Sequence, residues 1–426
     1  MNRRVRVGIL GGGQLGTMLA EALLDLDADV AVYDPHADAP ARRRVPDFVT
    51  GRWDDGEALT RFVARCDVIT YEFEHIETRG LHDVLKSLDA PPPVRPSLAV
   101  LDVLRDRVAE KNFLRDAGLP HATYAHAVGR EALRSEARAF GYPFMLKTAR
   151  GGYDGKGQFT IRSDEALEVA CDALESSLGP DFAVVLEDPL PLLLEASAIA
   201  VGDATGGVTY FPIFENTHAA NILDFTVVPA RVPPAVSEAL VALACDAVRR
   251  LGVVGLLTTE FFVTRSPGAR GGGHVVSDGA ERYHVYVNEL APRPHNSGHV
   301  TRCACDVSQF DALARVLLGL PAPTPRLIST DGYCMGNLLG DVWLAQGRGA
   351  LDVSALTTHP AVLELVLYGK EGAKPRRKMG HVIAHGATVD EALEAVRSFR
   401  RALACAPRPT VGQPAASRPT TSASRS

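Results

Sequence analysis

The twelve residues Asn288-Glu289-Leu290-Ala291-Pro292-Arg293-Pro294-His295-Asn296-Ser297-Gly298-His299 constrain this chain more than any other stretch. They crowd an acid, an arginine, two histidines, two amides and a hydroxyl together. No apolar strand interior accepts that composition. Proline holds φ at about −65° and has no amide to donate, so a sheet containing this segment must be left at Pro292. Beyond Pro292 the chain is a stiff loop that displays its side chains, and such loops carry sites more often than cores. An acid at a strand end suits a hard cation, and Arg293 suits a phosphate or a carboxylate.

Composition narrows the class of function. A net charge of −6 gives no global basic field to attract nucleic acid. No apolar run approaches the ~18 residues needed to span a membrane. The strand-like run after Met-Asn-Arg-Arg is too short for a signal peptide. The seven cysteines are scattered without a C-x-x-C, which predicts reduced thiols in a cytoplasmic protein rather than zinc or disulfide frameworks. At 426 residues the chain has room for two or three domains.

Residues 1–100 alternate strand and helix signals: strands over 5–10, 30–33 and 68–71, and a helix over 15–26. That pattern predicts a parallel sheet. Pro91-Pro92-Pro93 and Pro96 mark a break, followed by one charged helix over 98–117. A small α+β unit covers 120–185, with strands at 144–147 and 184–187 and a helix over 164–177. Residues 190–400 form the largest unit, with strands over 196–201, 209–213, 256–263 and 284–290. The Gly-, Ser- and Arg-rich stretch 266–282 predicts a long mobile loop. The tail 406–426 lacks acids and large apolar residues, which predicts disorder.

Several motifs carry chemistry. Gly11-Gly12-Gly13-Gln14-Leu15-Gly16 fits G-x-G-x-x-G, with Asp34 at the end of the next strand. It suits a dinucleotide pyrophosphate at a helix N-terminus, and equally a plain tight turn that needs glycine. Glu72, Glu74 and His75 close a parallel strand, the end at which ligands bind. Lys147 closes an apolar strand and demands an anion. The loop Arg150-Gly151-Gly152-Tyr153-Asp154-Gly155-Lys156-Gly157-Gln158 comes next, and its glycines let backbone amides approach phosphates. It is not a P-loop. Glu187 and Glu195 flank Pro189-Leu190-Pro191, where acids can receive an adenine amino group or ribose hydroxyls. Glu260 sits among apolar neighbours, and an antiparallel pairing with Glu289 would let both hold one Mg²⁺. The alternative is a single buried acid paired with a lysine or an arginine. Lys370, Arg377 and Lys378 belong to a basic cluster that suits a ribose phosphate, or forms a solvated face.

Taken together, these segments resemble the ATP-grasp carboxylases of purine synthesis, from about Arg6 to His385. The resemblance implies an ATP-grasp fold of mixed α/β and α+β class. A Rossmann-like pre-ATP-grasp domain would span 1–105, a lid with its linking helix 106–187, a C-terminal grasp domain 188–405 and a disordered tail 406–426. It implies a carbon–nitrogen ligase that uses ATP, Mg²⁺ and bicarbonate to carboxylate aminoimidazole ribonucleotide through carboxyphosphate, as a cytoplasmic homodimer. Matching positions put Arg107, Lys147, the loop Gly152, Tyr153, Asp154, Gly155, Lys156, Gly157 and Gln158, the hinge Glu187, Asp188, Pro189 and Leu190, and Glu195, His218, Asn288 and Glu289 on ATP. Glu260 and Glu289 would carry the metal. Gln14, Glu72, Tyr153, Lys156, Arg293, His295, Asn296, Lys370, Arg377 and Lys378 would surround the ribonucleotide. Asp154, Lys370, Arg293 and Asn296 would serve catalysis. Ala219-Ala220-Asn221 after His218, Thr17 after the Gly-rich turn and one extra residue before Arg377 depart from the family pattern. The alternatives are a dinucleotide-dependent oxidoreductase, resting on the Gly-rich turn, and a non-catalytic ATP-binding relic.

Overall fold

The computed structural model describes residues 4–152, 157–347 and 351–405. Strands Arg6–Leu10, Asp29–Asp34, Asp47–Thr50 and Val68–Tyr71 form a four-stranded parallel sheet. Both its faces are covered, which is why the inner strands are apolar between their ends, over 7–10 and 30–33. The helix Gln14–Asp25 buries Leu15, Met18, Leu19, Ala22 and Leu23, a helical period. Its far side packs on the helix Gln309–Leu317. One apolar cluster therefore runs from Met18, Leu19 and Leu23 to Phe310, Leu313 and Leu317.

The single charged helix expected over 98–117 is two helices, Leu98–Leu104 and Arg107–Asp116. Asp106 breaks it. Its carboxylate accepts from the amides of Val108 and Ala109, which starts a new helix at Arg107.

The small unit is a four-stranded antiparallel sheet of Tyr124–Val128, Ala183–Glu187, Phe144–Thr148 and Gln158–Ile161. Two helices, Gly129–Phe140 and Asp164–Leu178, cover one face with Leu133, Ala137, Leu167, Ala170 and Leu174. The Gly-rich loop joins two strands of this hairpin. Its last glycine, Gly157, has φ +71°, and a Cβ there would meet Thr148 Oγ1 at 2.5 Å. Tyr153, Asp154, Gly155 and Lys156 lie outside the described residues.

The large sheet has ten strands, among them the neighbours Leu192–Gly202, Gly255–Thr264 and Glu281–Ala291. The strand Glu281–Ala291 ends immediately before Pro292. The expected strand over 209–213 is shorter, Val208–Tyr210, and Pro212 separates it from Phe214–Ala219. The stretch expected as a mobile loop holds a strand, His274–Asp278, paired antiparallel with Glu281–Ala291. Only Val276 of that edge strand is buried, so apolar patterning gives it no signal. Ahead of it, Arg270 ties the loop to the lid. It pairs with Asp188, donates from its backbone to Asp188 Oδ2 at 2.9 Å and stacks on Phe140 at 4.3 Å.

Ala220 and Asn221 form the two-residue turn between Phe214–Ala219 and Ile222–Val228, with φ 49° and 63°. The unexpected Ala219-Ala220-Asn221 is thus a hairpin tip that needs left-handed backbone. Alanine carries a Cβ penalty there that asparagine largely escapes. Ala220→Asn should raise stability by about 0.5–1 kcal/mol, measured as a shift in the urea midpoint. A fall would mean that the Ala220 methyl packs usefully.

No helix among the described residues is long and apolar enough to cross a membrane. The six cysteines whose surroundings are described are free thiols.

Candidate active site

A cleft of about 1180 Å³ opens where the three units meet. It collects all the candidate residues except the four outside the described set. From the parallel sheet come Gln14 and Glu72, and from the lid side Arg107, Lys147, Gly152, Gly157, Gln158 and Glu187. Asp188, Pro189, Leu190 and Glu195 line the hinge. The large sheet supplies His218, Glu260, Asn288 and Glu289, and the loop after it Arg293, His295 and Asn296. Lys370, Arg377 and Lys378 close the far end.

The Gly-rich turn is not open to a pyrophosphate. Gly13 and Gly16 donate to the two oxygens of Glu72 at 2.5 and 2.6 Å, and Gly12 donates to Asp34 at 2.7 Å. Carboxylates of this chain take the amides that a dinucleotide would need, so the oxidoreductase alternative loses its only support. A Cβ on Gly13 would lie 2.2 Å from Glu72 Oε1, so the turn needs glycine for close approach rather than for a cofactor. Thr17, in place of an arginine, bonds back to the Gly13 carbonyl at 2.7 Å.

The helix Arg107–Asp116 grips the end of the strand carrying Asn288 and Glu289. Arg107, Glu110 and Lys111 stand on one face at i, i+3 and i+4. Lys111 Nζ donates to the Asn288 carbonyl at 2.8 Å, Glu110 accepts from the Leu290 amide at 2.6 Å, and Arg107 reaches Glu289 at 3.5 Å. Burial pushes Glu110 up to about 7, although Lys111 and Arg107 pull the other way. Neither Glu110 nor Lys111 is among the site residues that the sequence points to. A charged helix face normally points to water, so their residue types carry no local sign of burial.

Lys147 finds its anion inside the protein. Its Nζ lies 2.7 Å from Glu187 Oε2 and 3.4 Å from Asn288 Oδ1. Lys111 lies 3.3 Å from the other Glu187 oxygen. Burial alone would raise Glu187, but Lys111, Lys147 and Arg107 hold it well below the usual carboxylate range. Its other oxygen, Oε1, has no hydrogen-bond partner among the described residues and the side chain lines the cleft, so the two lysines orient Glu187 there. Asp188 is committed to Arg270.

Glu260 and Glu289 are direct cross-strand partners, as the antiparallel pairing requires. Among the described residues Glu260 makes no ion pair with a lysine or an arginine. It bonds His295 Nε2 at 2.9 Å, and this contact with nearby His218 holds its carboxyl low against the effect of burial. Glu195 meets His218 at 2.7 Å; burial would lower that histidine, but the carboxylate raises it. Among the described residues no three His, Cys, Asp or Glu side chains stand close enough to hold a metal unaided. Asn296 exchanges amide bonds with buried Asn337 at 3.1 and 2.6 Å.

Arg293 is locked to Glu74 by a two-pronged pair, one prong at 2.7 Å. Burial would raise Glu74, yet Arg293 holds it down to about 2 against an ordinary value of 4.5. A depressed carboxyl stabilises the fold above its unfolded value, and that stabilisation is lost as pH falls through the folded one. The full effect is roughly 3 kcal/mol. Glu74→Gln should therefore unfold at lower urea than the parent at pH 7, with the gap closing towards pH 2. A gap independent of pH would refute the pairing.

At the basic end, Lys370 Nζ donates to the Lys378 carbonyl at 3.0 Å. Arg377 donates to the carbonyls of Glu371 and Gly372 at 2.5 and 2.9 Å. Lys374 and Arg376 also border the cleft. The guanidinium of Arg377 thus shapes the turn as well as facing the cavity.

Residues 4–104 match the ribonucleotide synthetase preATP-grasp domain, 112–310 the ATP-grasp domain, and 334–395 the phosphoribosylaminoimidazole carboxylase C-terminal domain. The N5-carboxyaminoimidazole ribonucleotide synthase of Bacillus subtilis (strain 168) is 35% identical over 379 residues, 88% of this chain and 90% of the relative. A solved ADP complex of an N5-carboxyaminoimidazole ribonucleotide synthetase superposes with a TM-score of 0.80 at 34% identity, covering 94% of this chain and 98% of the other. The Aspergillus clavatus N5-carboxyaminoimidazole synthase, solved with ADP and 5-aminoimidazole ribonucleotide, gives 0.78 at 28% identity, covering 94% and 99%. A parallel-sheet domain, a small antiparallel lid and a large antiparallel sheet around one cleft agree with those relatives along nearly the whole chain, and the protein belongs to the N5-carboxyaminoimidazole ribonucleotide synthase family of ATP-grasp ligases.

Proposed function

We propose that this chain uses ATP and bicarbonate to carboxylate 5-aminoimidazole ribonucleotide, giving N5-carboxyaminoimidazole ribonucleotide, ADP and phosphate. The observation that carries the site assignment is the cross-strand pair Glu260 and Glu289 facing the cleft beside Arg107 and Lys147. Two carboxylates without a third protein ligand suit Mg²⁺, which takes one or two carboxylates and completes its shell with phosphates and water. When bound, Mg²⁺ would neutralise charge on the triphosphate.

The residues around the pair act in turn. Arg107 and Lys147 hold phosphate oxygens, and Lys147 is already fixed in place by Glu187. A bicarbonate oxygen attacks the γ-phosphorus, the bond to ADP breaks, and carboxyphosphate forms. The substrate's exocyclic amine then attacks the carboxyl carbon, or CO₂ released from it, and phosphate leaves. Arg293 orients the anion from a position that Glu74 makes stiff. His295 and Asn296 line the same wall. Asp154 and Lys370 are the candidates for proton handling at the amine. Closure of the Gly-rich loop would keep water from the labile intermediate. Arg377, Lys378 and Gln14 would take the ribose phosphate end. The working unit is a homodimer in the cytoplasm, to be checked by sedimentation.

The decisive assay tracks ADP release with Mg²⁺ and ATP, withholding bicarbonate or the ribonucleotide in turn. ADP formation that needs the ribonucleotide, with labelled bicarbonate appearing in an acid-labile product, is the expected result. ATP binding without ribonucleotide-dependent turnover would leave only a nucleotide-binding relic. A finer expectation concerns Arg377→Ala, which should raise KM for the ribonucleotide about tenfold or more with little change for ATP. Equal changes in both would put Arg377 at the wrong end of the cleft.

A further inference from the structure

Behind the cleft, the large sheet buries a file of polar side chains that the chemistry above does not use. Ser197, Thr226 and Ser297 are 0% exposed and Asn216 is 6% exposed. Ser197, Asn216 and Thr226 lie on strands of the sheet and Ser297 on the short helical turn after it, buried where an unsatisfied polar group is costly and a complete network is rigid. Adjacent strands bring them together: Asn216 is the cross-strand partner of Thr226, and Ser197 is that of Glu260.

The bonds run in one line. Thr226 Oγ1 donates to Asn216 Oδ1 at 3.0 Å, and Asn216 Nδ2 donates to Ser197 Oγ at 3.0 Å. Ser197 and Ser297 hydroxyls are 2.8 Å apart. Ser297 Oγ lies 2.9 Å from His295 Nδ1, and His295 Nε2 lies 2.9 Å from Glu260 Oε1. Each hydroxyl has one proton, so the donations pass down the line. Ser197 accepts from Asn216 and gives its proton to Ser297, which gives its own to His295 Nδ1. The Ser297 backbone amide also points at Nδ1, at 3.4 Å. With two donors facing it, Nδ1 is an acceptor and the ring proton sits on Nε2, towards Glu260.

We propose that Asn216, Ser197 and Ser297 form a positioning relay that holds His295 as its Nε2–H tautomer against one oxygen of Glu260 and leaves the other oxygen to the cleft. The relay residues touch no substrate. They act through His295, and the inference rests on Glu260 serving the nucleotide site.

The test is the ¹⁵N spectrum of the histidine rings in the whole protein, with the His295 signals identified by their loss in His295→Asn. The wild type should show a protonated Nε2 and a bare Nδ1. Asn216→Asp, which can accept but not donate, and Ser297→Ala should both alter that pattern. Thr209→Val, which loses a hydroxyl bonded to the Pro323 carbonyl elsewhere in the sheet, should not. In kinetics, Ser197→Ala and Ser297→Ala should each lower kcat roughly tenfold, with the double variant no worse than either, because they break one chain. A wild-type ring carrying its proton on Nδ1 overturns the proposal, as do additive losses in the double variant. The wild-type spectrum needs no turnover, and only the assignment variant His295→Asn has to fold, so a failed relay would be told apart from a failed assignment of the reaction.

Discussion

Replacing Glu289 by glutamine should cut ADP formation by on the order of 10²–10³-fold or more while leaving the fold in place. The two effects separate because of where this carboxylate lies. Its side chain is 40% exposed on the wall of the cleft, and its ion pair with Arg107 is a loose 3.5 Å. Arg107 is largely buried, but a contact this long to a carboxylate open to the cleft is weak, and losing it should change stability by no more than about 1 kcal/mol. The same carboxylate is the best-placed partner for Glu260 across the ladder. Glutamine keeps the shape and one oxygen but removes the charge that a hard cation requires. The check is a pair of measurements on one preparation: steady-state ADP release and the urea midpoint. Parent-like turnover would refute the metal assignment, and a large fall in the midpoint would make Glu289 a structural residue.

Lys111→Met should do the reverse, destabilising the protein by about 3–5 kcal/mol before any question of chemistry arises. The Lys111 side chain is 1% exposed, donates to the Asn288 carbonyl and lies 3.3 Å from Glu187. Methionine fills the space but leaves a buried carbonyl without its donor and Glu187 with one cation fewer. Because that carbonyl belongs to the residue before Glu289, the surviving folded fraction should also bind ATP more weakly. Denaturant unfolding with and without ATP would measure both. A parent-like midpoint would mean that Lys147 alone neutralises Glu187.

Parts of this architecture are plain in the residues themselves. Apolar runs mark three of the four parallel strands of the first domain, the short Asp47–Thr50 having too few apolar residues to show, and Pro292 dictates where the strand carrying Glu289 must stop. Arg105-Asp106 is different. Nothing in a polar helical stretch distinguishes a solvent-facing aspartate from one that caps a new helix, and only the amides of Val108 and Ala109 decide it. The edge strand His274–Asp278 is mostly solvent-exposed on both faces, so no alternation betrays it. Glu72 shows how a motif can mislead. The spacing of glycines records only that something must come close to the backbone, and here that something is a side chain 56 residues further along. At the hinge, Lys111 and Lys147 come from different elements to meet Glu187, a convergence that no local spacing announces.

The shared apolar seam between the helices Gln14–Asp25 and Gln309–Leu317 bears on how this protein could be rebuilt. Pre-ATP-grasp domains look like interchangeable cassettes, because their sheets are complete in themselves. Here Met18, Leu19 and Leu23 are sealed against Phe310, Leu313 and Leu317 of the large domain. A first domain borrowed from a relative would bring foreign knobs to these holes. A working chimera would need the far helix transplanted with it, so the unit of exchange is the helix pair and not the domain.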